Sequence, residues 1–177
     1  MSVFNSLPPK INQIHLIKWL NENYSFLKKK STKLKSLNSE RDKNFLIYIN
    51  SKPKYVLKIS NSKESKDFLN LKDYILINLR KRASLNKRIP KKIHPSIKIY
   101  TDLNDRICYV RILSYIEGKM YASVKHNSLL EQSLGSLLGN LSKELQNLNK
   151  PSAFRKFEWD PSNIQWISKE VKLFKGV

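Results

Sequence analysis

One lysine stands inside an apolar, strand-like run, Tyr55-Val56-Leu57-Lys58-Ile59-Ser60. Upstream, a polar run, Ser39-Glu40-Arg41-Asp42-Lys43-Asn44-Phe45, leads into a first alternating segment. A charge inside such a strand costs free energy unless it meets solvent or a partner. A phosphate is one such partner, because a polar turn, two strands and an embedded lysine form a known phosphate-holding arrangement. An outward-facing strand lysine is the alternative in so basic a chain. The polar run could aim backbone N–H groups at an anion. It contains no glycine, however, and also reads as a simple Asx or Ser turn.

The surrounding pattern must place these residues. Ile11 to Tyr24 has helical spacing (Ile11, Ile14, Leu16/Ile17, Leu20) behind Pro8-Pro9. Tyr24 to Leu37 contains a candidate exposed first strand. Phe45 to Ile49 alternates as a strand, Ser51 to Lys54 has the length of a hairpin turn, and Tyr55 to Ile59 forms the next strand. Ser62 or Ser65 can cap a helix starting near Lys63, with Phe68, Leu69, Leu71, Ile75, Leu76 and Leu79 on its apolar side. Arg80-Lys81-Arg82 would complement the dipole at its end. A basic connector, Arg88 to Pro95, leads to a second strand pair at Ile97 to Thr101 and Ile107 to Leu113. Ser128 to Leu148 is an amphipathic helix ended by Pro151, and Pro161 to Leu173 could start another.

Composition sets outer limits. The 177 residues, 40% apolar and 10% aromatic, suit one globular domain, or one lobe and a piece of another. A single Cys108 excludes a disulfide framework and a cysteine zinc site and fits a reducing, cytoplasmic setting. No apolar run has the length of a membrane span, and the N-terminus lacks the pattern of a signal peptide. The net charge of +20 invites a nucleic-acid reading. The basic residues are spread along the chain, though, with no finger, RRM or basic-heptad signature beside them. His15, His94 and His126 are isolated, so neither a metal site nor a histidine-based nucleophile can be assembled from sequence.

Leu37 to Phe45, followed by Tyr55 to Asn61, resembles the N-lobe of the aminoglycoside phosphotransferase/choline kinase-like family. The nearest branch is the hydroxylysine-kinase-like proteins, some fused to class III aminotransferases. Val110-Arg-Ile-Leu-Ser-Tyr-Ile-Glu-Gly118 is similar to that branch's strand and hinge. Leu134 to Leu141 and Phe157-Glu-Trp-Asp160 are similar to its first C-lobe helix and the following loop. The likeness runs from about Asn12 to Ile167, with Ser-Glu-Arg-Asp-x-Asn-Phe its most specific part.

This resemblance implies an α+β fold: a protein-kinase-like N-lobe, an antiparallel sheet with one packed helix, plus the first helix of a truncated C-lobe. It implies an N-lobe over residues 1–114, a hinge or connector over 115–125 and the start of a helical C-lobe over 126–177. It implies ATP or GTP in the cleft. Ser39, Arg41, Asp42 and Asn44 would lie over the phosphates, Lys58 would meet the α/β-phosphates, and backbone groups of Leu113, Ser114, Tyr115 and Ile116 would hold the adenine. The family's helix glutamate aligns best with Asn70, a departure for which Asp67 or Asp73 could substitute. Glu64, Asp67, Asn70 and Asp73 recur at i,i+3 spacing on roughly one helical face.

The implied parent activity is phosphorylation of a hydroxyl on a small amine or amino acid such as hydroxylysine. No catalytic or metal-binding aspartate of the family pattern is found before Val177, so Mg²⁺ is expected only with a missing C-lobe. The chain alone is expected to be inactive, with a C-lobe fragment or fused aminotransferase as possible partners and no membrane. A non-enzymatic, basic nucleic-acid-binding protein is the alternative.

Overall fold

The computed structural model describes residues 6–28, 30–154, 160, 162 and 165. Its order is α1 (Gln13–Asn23), β1 (Thr32–Leu37), β2 (Lys43–Ile49), β3 (Lys52–Ile59), α2 (Lys66–Leu79), β4 (Lys98–Thr101), β5 (Ile107–Ser114) and α3 (Ser128–Leu145). The five strands form one sheet in the order β1-β2-β3-β5-β4. Every pairing is antiparallel. With the helix between β3 and β4, this is an α+β, kinase-like N-lobe arrangement.

The alternation read from sequence sorts the sheet into two faces, because residues opposite one another on paired strands share a face. Phe45, Ile47, Leu57, Ile59, Val110 and Ile112 line one face, all buried. Leu16 and Leu20 of α1, one helical turn apart, close over it with Tyr24 and Leu27. Asn12 starts α1 by accepting the N–H groups of Ile14 and His15 at 2.9 and 3.2 Å. The opposite face carries Asn44, Lys58 and Arg111 in one cross-strand row and Leu46, Val56 and Leu113 in the next.

Three hydrogen-bond sets fix how the chain crosses this frame. Ser65 caps α2 by accepting the Phe68 N–H at 3.1 Å, so the helix begins at Lys66 and not near Lys63. Asp102 accepts the N–H groups of Lys10, Asn104 and Arg106 and the Arg106 guanidinium. Arg106 in turn donates to the carbonyls of Leu7 and Pro8, tying the N-terminal segment to the β4–β5 turn. Where β4 stops, the connector takes its place beside β5: Lys92 bridges to Leu113, and Lys91 and Ser114 exchange bonds of 2.8 Å.

The β2–β3 turn departs from expectation. It is Asn50-Ser51, with φ of 50° and 64°, and Lys52 to Lys54 already belong to β3. Two successive positive φ values are the signature of a tight two-residue hairpin turn. Pro53 is tolerated because β3 pairs with β5 only from Tyr55 onward and the β2 ladder shifts register at Ile47/Tyr48. α3 ends at Leu145 rather than Leu148. The helix expected over Pro161 to Leu173 and the Phe157–Trp159 segment lie outside the described residues.

Two outcomes follow. Ser51→Gly removes a side chain from the left-handed region and should raise stability by about 1 kcal/mol, read from urea midpoints. Burial by itself would raise the Asp102 pKa, but the Arg106 side chain and three backbone donors outweigh it and hold the carboxyl down at about 2. A depressed folded pKa contributes stability above the unfolded value and loses it as pH falls through the folded one. Stability should therefore drop between pH 4 and about pH 2 by at most about 2 kcal/mol, less at the solvent-screened Arg106 side. Asp102→Asn should flatten that part of the urea-versus-pH profile.

Candidate functional site

The site is built on the α2-facing row of the sheet. Lys58 is half-buried, and its Nζ donates to Asn44 Oδ1 at 3.3 Å. Arg111 stands directly opposite it on β5. Burial lowers the Lys58 pKa below the ordinary lysine value. The Asp42 charge pulls it back up, while Arg111 and Lys72 push it down.

Above this row, the Ser39–Asn44 turn is closed by Ser39 Oγ donating to the Asp42 carbonyl at 2.6 Å. Asp42 Oδ1 accepts the backbone N–H and, at 3.4 Å, the side-chain amide of Asn61. Asn61 is buried just after β3, and its own Oδ1 accepts the Lys63 N–H. One amide side chain thus binds the turn before β2 to the segment leading into α2. Nearby, Glu64 lies 3.4 Å from Lys72 Nζ.

The helix carboxylate is Asp73, which is buried; Asp67 and Asn70 are exposed. The expectation that Glu64, Asp67, Asn70 and Asp73 share a face fails for a geometric reason. A helix turns about 100° per residue, so each i,i+3 step drifts by about 60°, and Glu64 precedes α2 altogether. Asp73 does not reach Lys58. Its Oδ1 accepts Arg111 Nη1 at 2.7 Å, and Lys92 Nζ lies 2.6 Å from Oδ2. The Lys92 contact is one of charge without hydrogen-bond alignment, since Oδ2 makes no aligned bond. Arg111 Nε is likewise a buried donor with no acceptor.

In the segment expected to be the hinge, Leu113 is buried in the Leu46–Val56 row. The N–H groups of Ser114 and Tyr115 are already taken by the carbonyls of Lys91 and Lys54, at 2.8 and 2.9 Å. Among the described residues the Ile116 N–H has no such partner, and Ile116 is exposed. The structure thus gathers Asp42, Asn44 and Lys58 at one end of the α2-facing surface and the Leu113–Ile116 segment at the other, and leaves Asp67 and Asn70 outside. A cavity of about 300 Å³ between Tyr74, Leu79, Glu144 and Leu145 is the α2–α3 seam and contains none of these residues. Among the described residues no group of three or more His, Cys, Asp or Glu is placed to hold a metal ion. No helix among them is long and apolar enough to cross a membrane.

Sequence reading missed Arg111, Lys92 and Asn61. A usable signal existed for Arg111: it interrupts the apolar run Val110-Arg111-Ile112-Leu113 just as Lys58 interrupts its own.

Sheet, helix and cationic row together form the α+β arrangement that the sequence resemblance implies. No family model matches the chain. The sequence is 28% identical over 159 residues to the hydroxylysine kinase of Mus musculus, covering 79% of this chain and 42% of that protein. This bears out the resemblance to the hydroxylysine-kinase-like branch of the aminoglycoside phosphotransferase/choline kinase-like family. A solved structure, the microcompartment-associated aminopropanol kinase, superposes with a TM-score of 0.46 at 14% identity, covering 86% of this chain and 48% of that one. The chain spans less than half the length of each of these proteins.

One stability outcome belongs here. Asp73→Asn leaves Arg111 and Lys92 without their shared counter-charge in a buried setting. It should cost about 3–5 kcal/mol in equilibrium unfolding, whereas Asp67→Asn on the exposed face should stay within about 0.5 kcal/mol.

Proposed function

We propose that this chain supplies the nucleotide-holding part of a small-molecule kinase of the aminoglycoside phosphotransferase/choline kinase-like family. The observation that carries the reading is Lys58: a half-buried ammonium, opposite a second cation and, among the described residues, bonded to the Asn44 amide oxygen with no ion pair to a carboxylate. A cation so placed is stabilised by an arriving anion of the right reach, and a nucleoside di- or triphosphate has it.

The residues fit such a ligand by role. Lys58 pairs with phosphate oxygens, and Asn44 holds its ammonium between visits. Asp42 and Asn61 fix the turn that would overhang the phosphates. Val56, the half-buried member of the Leu46–Val56–Leu113 row, offers apolar surface for a base, and the Ile116 N–H, without a backbone partner among the described residues, offers a donor at its edge. ATP or GTP would supply the phosphoryl group. A hydroxylated small amine or amino acid would be the acceptor for the whole enzyme, by likeness to the hydroxylysine kinase. The work of these residues is to bind and orient the nucleotide; Mg²⁺ and the acceptor would be held by a second lobe. Residues 1–114 as N-lobe, 115–125 as connector and 126–177 as the start of a second lobe remain the proposed division.

Thermal unfolding with and without ATP, GTP or ADP tests this. At about 100 times its Kd a nucleotide should add roughly 2.7 kcal/mol, a shift on the order of 5–10 °C. Lys58→Ala should abolish the shift while leaving the unliganded midpoint nearly unchanged. Absence of any nucleotide response, with steeply salt-dependent binding to DNA or RNA instead, would replace this reading by the nucleic-acid one.

A further inference from the structure

We propose that Arg111 is a positioning residue for Lys58, and that the α2 carboxylate Asp73 acts on the nucleotide site through Arg111 instead of by gripping the lysine. This rests on the reading of Lys58 as the phosphate-binding cation.

Four observations carry it. Lys58 and Arg111 are opposite each other in the β3–β5 ladder, so their side chains leave the sheet on the same face as near neighbours. Arg111 is 4% exposed and cannot swing away, because Asp73 holds its Nη1 at 2.7 Å from a helix packed over it. Asp73 is fully committed, with Lys92 against its second oxygen. Lys58 therefore faces a fixed like charge on one side and leans to the other, where Asn44 Oδ1 accepts a hydrogen bond from its Nζ at 3.3 Å beside the Ser39–Asp42 turn.

The physical consequence is a directed cation. Like charges directly opposite in a sheet repel, and here only one of the two can move. In the familiar arrangement, a helix carboxylate pulls the lysine into place. In this chain an anchored arginine pushes it there, and the turn carboxylate of Asp42 offsets its charge only from a distance, with no ion pair to it among the described residues. Two further carboxylates are engaged elsewhere: Asp42 with Asn61 and Glu64 with Lys72. The groups that set the Lys58 charge are thus Asp42 from the turn, Arg111 from β5 and Lys72 from α2, with Asp73 and Lys92 acting through Arg111.

The test uses the full chain and two readouts. The first is titration of the Lys58 side chain by ¹³Cε-lysine NMR, with its signal assigned by its loss in Lys58→Ala. The second is ADP affinity by calorimetry. Because Arg111→Met alone leaves Asp73 with Lys92 as its remaining counter-charge and unbalances the buried cluster, the main variant is Asp73→Leu/Arg111→Met, which removes both members of the pair and leaves Lys92 its bond to the Pro95 carbonyl, with Arg111→Lys as the conservative check. We expect the double variant to remain folded, its Lys58 titration to move to higher pH, and its ADP affinity to fall at least tenfold. Arg111→Lys should keep the wild-type titration and lose affinity less. A folded double variant with both the Lys58 titration and ADP affinity at wild-type values overturns the positioning role alone. Wild-type chain that binds no ADP, or Lys58→Ala that binds it normally, overturns the nucleotide reading and this inference with it.

Discussion

The contact on which this molecule turns is the buried carboxylate of Asp73, shared between Arg111 of β5 and Lys92 of the connector. It joins three parts of the chain that lie far apart in sequence. Helix α2 is brought down on the cationic face of the sheet, the connector is drawn to the edge of β5 where β4 ends, and Arg111 is held in place opposite Lys58. Burying ions is expensive, and such a pair seldom adds net stability over apolar packing of the same volume. Its value lies in specifying one docking of α2, since a shift of the helix would strand charges on both sides.

The two faces of the sheet divide the work. The face beneath α1 is a closed apolar core, with Leu16, Leu20, Phe45, Leu57 and Ile59 essentially inaccessible. It supplies the hydrophobic burial that the charged face cannot. The α2 face mixes charge and apolar rows, and it stays partly open around Lys58, Val56 and Ser114 to Ile116. The proposed ligand, with a flat base at one end and phosphates at the other, would follow that sequence of surfaces. Asn61 extends the order to the turn above the row, since its side-chain and backbone donors both end on Asp42.

Much of this was legible from sequence where the signal is local. Alternation in Phe45 to Ile49 and Tyr55 to Ile59 reveals the strands, and the period of Leu16 and Leu20 reveals α1. A lysine in an apolar run marks the site row. What sequence hides is pairing across distance. Asp73 finds Arg111 38 residues away, and nothing in their spacing announces it. Asn70 aligned better with the expected helix carboxylate but is exposed, because three residues along a helix is enough to leave the sheet-facing side. The Asn50-Ser51 turn was misplaced because neither residue is glycine, although both take positive φ.

The most direct measurement of the central claim is amide chemical-shift mapping on the ¹⁵N-labelled chain as ADP is added. The account predicts that the largest shifts fall on Ser39 to Asn44, on Lys58 and on the Ile116 N–H, with little change along α1. Saturable shifts confined to other surfaces, such as the α2–α3 seam around Tyr74 and Glu144, would contradict it.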